Sequence, residues 1–198
     1  MLRNISIFCS IFFLLVNVSS ADENKVKIAT IDMVRVENNS YISKDLVKKM
    51  SAKESEIQQE LLKRKNKLES EFKSLESKRS ILSAEELQKK ARKLENDYQQ
   101  FQIDGNFYGK VLDKARMNAL VIVHNNIKKA ANIVANGKNG YDLIITLDSA
   151  IYINQNKFDD VTEKTIEAIN KISKTIDYET AYKNAKSEIS ELLKDAKK

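Results

Sequence analysis

Polar and apolar residues along most of this chain repeat with the period of a long helix. Through the second half, apolar or small residues fall at Leu87, Ala91, Leu94, Tyr98, Phe101, Gly105, Tyr108, Leu112, Ala115, Ala119 and Ile122. The steps alternate between four and three, the a/d seam of a coiled coil. The preceding stretch answers more roughly with Leu46, Met50, Ile57, Leu61, Leu68, Phe72 and Leu75, interrupted by Lys53 and Arg64. Between them, Ser83 followed three residues later by Glu86 is a capping box that starts a new helix. Residues 46–79 and 87–122 give arms of matching length, about 50 Å each at the helical rise. The pattern predicts an antiparallel helical hairpin over residues 45–136.

The flanking segments read as a small body. Residues 25–33 are rich in β-branched side chains and predict a strand, with Glu37-Asn38-Asn39-Ser40 as a turn and the first arm helix starting near Ser43. The returning helix carries Ile127, Ala130, Ala131 and Val134 past the seam and stops at Asn136-Gly137. Its last turns are expected to pack on the body. Residues 141–147 are a continuous apolar run of strand length, as expected when both faces are covered. Asp148-Ser149 turns the chain and Ile151-Tyr152-Ile153 predicts a short third strand. Asp160 then caps a helix with Glu163, and Val161, Ile166, Ile169 and Ile172 form its buried stripe. A last helix over 178–196 shows Ala185, Ile189, Leu192 and Ala196 on one side.

The expected fold class is therefore α+β and mostly α: a long antiparallel coiled-coil hairpin projecting from a small β-rich oligomerisation body. The body comprises residues 22–44 and 137–176, the arm 45–136, and an extra C-terminal helix 177–198. Three short strands seldom make a stable core alone. Self-association is the simplest cover for Leu143, Ile144, Ile145 and Leu147, together with Ile28 and Ile31 of the first strand.

Residues 1–21 combine a basic start, an apolar run from Ile5 to Val16 and the small residues Ser19-Ser20-Ala21. This is the pattern of a cleavable secretory signal peptide. The run is shorter than the roughly 20 residues that a membrane span needs. Cys9 is the only cysteine and leaves with the signal, so the mature chain carries no disulfide and no thiol chemistry. The sequence pI is about 9.2, and the basic excess is concentrated. Residues 63–93 hold 11 basic and 5 acidic side chains. Lys63, Arg64, Lys65, Lys67, Arg79, Lys89, Lys90, Arg92 and Lys93 thus mark the arm tip as either a solvated helix face or a contact for something anionic.

No constellation for catalysis, cofactor binding or metal binding emerges, and an enzyme is not expected. The only histidine, His124, sits on the arm's root as a surface or packing residue. Gly105-Asn106-Phe107-Tyr108-Gly109-Lys110 superficially suggests a phosphate loop. It has one spacer too few, lacks the following Ser or Thr, and lies inside a helix. Gly105 and Gly109 each cost about 1 kcal/mol relative to alanine there. They mark either close packing of the two helices or a soft point in the arm.

Lys27-Ile28-Ala29-Thr30-Ile31-Asp32, Leu82-Ser83-Ala84-Glu85-Glu86, Gly140-Tyr141-Asp142-Leu143-Ile144-Ile145, and Ala150-Ile151-Tyr152 followed by Asp160-Val161-Thr162 come in this order along the chain. Together they resemble the Skp (OmpH) family of periplasmic chaperones. The likeness covers about residues 25–172, and residues 173–198 go beyond the family's usual end. The resemblance implies a homotrimer with a small β-rich body and three helical arms. It implies ATP-independent holding of unfolded outer-membrane proteins in the periplasm and their delivery for membrane insertion. It further implies anionic lipid or lipopolysaccharide at the basic tips. A structural or adaptor coiled coil of the envelope is the alternative. An anion-binding protein is a third reading, in which export argues against nucleic acid.

Overall fold

The computed structural model describes residues 25–138 and 140–195. The expected signal peptide, 1–21, lies outside them, as does Ala196. The protein is mostly helical, with one small parallel sheet. Strand β1 (Ile28–Ile31) lies at the centre of that sheet, with β2 (Leu143–Thr146) on one side and the two-residue β3 (Asp159–Asp160) on the other. Ile28 pairs with Leu143 and Ile31 with Thr146, while Ala29 and Thr30 pair with Asp159 and Asp160. Ala29, Thr30 and Ile31 are all buried. The strand covered on both faces is thus β1. β2 is an edge strand, with Leu143 exposed and Ile144 and Ile145 half-buried. Within one chain the apolar run 141–147 is only partly covered, none of its apolar side chains being fully buried, and its outer edge meets no other strand among the described residues; Leu147 begins a single 3-10 turn.

Parallel neighbours need a long crossover, and here the crossover is the helical pair itself. After β1 comes a short helix, α1 (Met33–Asn39), where the sequence suggested strand and turn. Asp32 caps it, accepting from the Arg35 N–H at 2.9 Å. Ser40, fully buried, ends α1 and begins α2 (Tyr41–Ser77, 37 residues). A turn leads to α3 (Ala84–Ala135, 52 residues), with the Ser83/Glu86 capping box present. α4 (Thr162–Ile172) and α5 (Tyr178–Asp195) complete the chain.

Buried residues on α2 are Ile42, Leu46, Ile57 and Leu68. The last three stand eleven residues apart, and Met50 and Leu61 fill the same spacing. An eleven-residue repeat advances 3.67 residues per turn, against 3.5 for a heptad. Lys53 and Arg64 occupy its remaining seam positions. Each has a partner there: Lys53 meets Glu56 at 2.8 Å and Glu179 at 3.2 Å, and Arg64 meets Asp104 of α3. On α3 the buried row is Val111, Ala115, Ala119, Val123, Ile127 and Ala130. Near the root it departs from the expected seam, leaving Ile122 40% exposed. There α3 also packs against α4 and α5, so the covered stripe turns towards them. Small side chains every fourth residue let those helices approach.

Three further expectations are corrected. Residues 151–153 form no strand; Ile151 and Tyr152 are fully or largely exposed. Both edges of β1 are already taken, by β2 and by β3. Asp160 accepts from the Thr162 N–H at 2.9 Å, but Val161 holds the N-cap position of α4. Glu163 turns away to Arg35 at 2.5 Å instead of closing a capping box. Of the predicted α4 stripe, Val161, Ile166 and Ile169 are buried, while Ile172 is exposed.

On α5 the buried residues are Tyr178, Ala181, Tyr182 and Ala185, with Leu192 exposed, so the covered stripe lies nearer the helix start than the sequence suggested. This end is clamped to the arm's root. Asp45 accepts from the Ile176 N–H at 2.9 Å, and Lys49 donates to the Ile176 carbonyl at 2.6 Å. Lys53 lies over the Tyr182 ring, Lys186 over Tyr108, and Lys114 pairs with Glu188 at 2.7 Å. Tyr182→Ala should lower unfolding stability by about 3 kcal/mol. Denaturant unfolding measures the loss, and amide exchange in α5 should accelerate most.

Candidate functional site

The body fixes the root of the arm through the Gly140-Tyr141-Asp142 segment. Gly140 has a φ of +55°, a left-handed conformation that glycine adopts without a Cβ clash. This aims Tyr141 and Asp142 at different partners. The Tyr141 N–H donates to Ala135 at the end of α3, and its hydroxyl donates to Asp159 of β3 at 2.6 Å. Asp142 accepts from the Lys27 N–H at 2.8 Å and returns its own N–H to the Lys27 carbonyl at 2.9 Å. One tripeptide thereby ties α3 to all three strands. His124 lies where α3 passes α1, its Nε2 2.8 Å from Glu37 Oε1, on the surface.

Midway along the arm, Arg64 and Gln100 both donate to Asp104, at 2.5 and 2.8 Å. Partial burial pushes the Asp104 carboxyl up, but the Arg64 and Gln100 hydrogen bonds and the guanidinium charge outweigh it. The net position is below the ordinary carboxylate value. The tie joins α2 to α3 at the level of Gly105. The phosphate-loop lookalike, residues 105–110, lies inside α3. A Cβ placed at Gly105 or Gly109 would meet no atom within 4 Å beyond the adjoining backbone of α3 itself. Close packing within the chain therefore does not require glycine at either position.

Of the nine basic tip residues, Arg64 is spent on Asp104, while Lys65 and Lys67 lie 3.7 and 3.9 Å from Glu69 and Glu71 one helical turn on. Lys63, Arg79, Lys89, Lys90, Arg92 and Lys93 are exposed and make no ion pair among the described residues. Lys90 and Lys93 join Lys78 around a cleft of about 250 Å³ with Glu71, Ser74, Leu75, Leu82 and Leu94. A larger groove of about 700 Å³ is lined by apolar Leu68, Phe72, Leu75, Ala91, Leu94 and Tyr98. The seam pattern placed these six residues between the helices, but it did not reveal the groove. The signal was the change from eleven-residue to seven-residue spacing between the two arm helices.

Among the described residues no cluster of side chains could hold a metal ion, and no helix is long and apolar enough to cross a membrane. A small parallel sheet with a long helical pair inserted in its crossover defines a body-and-arm protein. The chain belongs to the outer membrane protein (OmpH-like) family, whose sequence profile matches residues 27–169. That span includes the whole arm and ends before α5. Among curated proteins nothing matches. Among solved structures, the fold is similar to that of a Caulobacter crescentus protein described as an outer membrane chaperone (OmpH-like). The two share 17% identity with a TM-score of 0.70, covering 76% of this chain and 88% of that one.

Two outcomes are expected. Because the Asp104 carboxyl lies below its ordinary value in the folded arm, it contributes stability above that value and loses it as pH falls through the folded one. Arm amide exchange should therefore rise more steeply below pH ~4 in the wild type than in Asp104→Asn. Replacing Gly105 and Gly109 together by alanine should stabilise the helix by up to ~2 kcal/mol. Slower exchange across residues 98–114 is the readout.

Proposed function

We propose that this protein is an ATP-independent holdase of the periplasm. In this reading it is a homotrimer that binds unfolded outer-membrane proteins between antiparallel coiled-coil arms and delivers them for membrane insertion. The observation that carries the proposal is the arm: a long helical pair with apolar side chains exposed along its length. Val47, Leu62, Phe72, Tyr98, Ile103, Met117 and Val121 are each at least 46% exposed. Such a surface offers many weak contacts and no single deep site, which suits clients without fixed structure. Membership of the OmpH-like family supports the reading, as does the chaperone description of the C. crescentus neighbour.

Work of this kind runs on binding free energy alone and needs no catalytic group or nucleotide. Assembly through the body is supported by the open edge of β2 and by exposed Leu143, Ile151 and Tyr152. The signal-like residues 1–21 support export. The unpaired basic residues at the tip suit acidic clients or an anionic lipid or lipopolysaccharide surface, and Gly105 and Gly109 suit an arm that bends around its load.

The deciding assay is whether the purified mature protein keeps a denatured outer-membrane protein soluble on dilution, with no nucleotide present. Suppressed aggregation is expected; a protein that leaves the client to aggregate and binds a folded partner instead would be an envelope adaptor. Ile145→Asp places a charge where the copies are proposed to meet, a cost that rivals a small domain's whole stability. It should give monomers or unfolded chain in sedimentation, while Leu94→Ala keeps the oligomer. A soluble, folded wild-type monomer at micromolar concentration would refute assembly through the body.

A further inference from the structure

The two sides of the distal arm offer different chemistry. Leu75 and Leu94 form the common floor of the basic cleft and the apolar groove, so these open on opposite sides of the helical pair. Nearer the body, α5 occupies the side of the basic cleft. Lys49, Lys53 and Glu56 face the start of α5, and in an eleven-residue repeat the same face returns at Glu71, Leu75 and Lys78. The opposite side of α2 stays uncovered. One repeat before Lys73 stands Leu62, and two before Glu69 stands Val47, both exposed.

The groove exists because the seam is thin there. Ala91 supplies only a methyl group to it, while Phe72 and Tyr98 stand 56% and 46% exposed at its walls. Its rim reverses the charge of the tip. Glu69, Glu76 and Glu95 surround it, with Lys73 as its one ammonium. Glu69 is shared with Lys65 at 3.7 Å, and Glu76 and Glu95 make no ion pair among the described residues.

We propose that this groove docks extended stretches of unfolded polypeptide in which an aromatic side chain is flanked by lysine or arginine. The proposal rests on the holdase reading and specifies what the arm selects within a client. An aromatic ring entering the groove meets Phe72 and Tyr98, both able to take it edge-to-face. Basic residues within two positions of that ring, in an extended chain, reach the free carboxylates of Glu76 and Glu95. The tip as a whole is basic, so its long-range field attracts acidic segments. The groove prefers the opposite charge at short range.

That opposition makes the test sharp. The full mature protein is titrated at low salt with fluorescent 12-residue peptides of Ser, Asn and Gly bearing one Phe, flanked either by two Lys or by two Glu. The Lys-flanked peptide should bind about fivefold tighter, and replacing its Phe by Ser should abolish binding. Phe72→Ser with Tyr98→Ser should remove the binding. Ala91→Leu, which fills the groove with a helix-favouring side chain, should do the same with helix content unchanged. Glu76→Gln with Glu95→Gln should level the two peptides.

Equal or tighter binding of the Glu-flanked peptide overturns the proposal, as does a peptide affinity that Ala91→Leu leaves intact. A fall in wild-type oligomer size caused by Ala91→Leu also overturns it, assigning the groove to a second copy of the chain. A wild type that holds a denatured outer-membrane protein in solution but binds the peptides without preference refutes the groove alone. One that prefers the Lys-flanked peptide yet lets the client aggregate refutes the holdase reading instead.

Discussion

The parallel pairing of β1 with β2 is the constraint from which the rest of the architecture follows. Parallel neighbours cannot be joined by a tight turn, so the chain must leave one end of the sheet and return to the other. Here it makes that journey through α1, α2 and α3. The arm is therefore attached at two points, after β1 and before β2, and both must be held for the strands to stay in register. Buried Ser40 holds the outgoing side, where α1 hands over to α2. Gly140, Tyr141 and Asp142 hold the returning side. α4 then closes over the sheet, its Thr162 hydroxyl accepting from the Asp32 N–H and its Glu163 meeting Arg35.

A second constraint acts along the arm. The buried residues of α2 recur every eleven positions, while the α3 pattern beyond the root is closer to seven. Two helices whose apolar stripes drift in different senses cannot keep every seam residue inside over this length. The mismatch accumulates away from the body. Near the root the contact is buried and apolar, with Ile42 and Leu46 on α2 and the Val, Ala and Ile row on α3; in the middle it is carried by Arg64 and Asp104; near the tip Phe72 and Tyr98 emerge into solvent. Polar seam residues and exposed aromatics are thus two expressions of one mismatch in period.

Much of this organisation can be read from the residues. The long helices and the capping box at Ser83 follow from side-chain spacing and local hydrogen-bonding chemistry, both of which act within a few residues. Other features depend on distant partners. α1 hides inside a strand-like stretch because Val34 and Val36 are β-branched; only Asp32, three residues before Arg35, marks its start. β3 consists of two aspartates, which no propensity would assign to a strand; it exists because Thr30 and Tyr141 hold it. Ile151 and Tyr152 carry every local sign of a strand and yet pair with no strand among the described residues. The apolar groove was not legible, because it depends on how two different repeats fall against each other. The charge run was legible as composition, and the four-residue spacing of Lys65 from Glu69 and of Lys67 from Glu71 makes their local pairing legible as well.

The clamping of α5 has a mechanical consequence. Lys49, Lys53, Tyr108 and Lys114 fasten a third helix alongside the lower arm, and of these four contacts the one at Tyr108 lies farthest out. A beam thickened over its lower part yields just beyond the end of the thickening. In this protein Gly105 lies one turn farther out than Tyr108 and Gly109 just inside the clamped span, with open space beside both. The upper arm behaves as a cantilever whose free length is set by the C-terminal helix. A family member without such a helix, built on an arm of the same span, would sway from nearer the sheet.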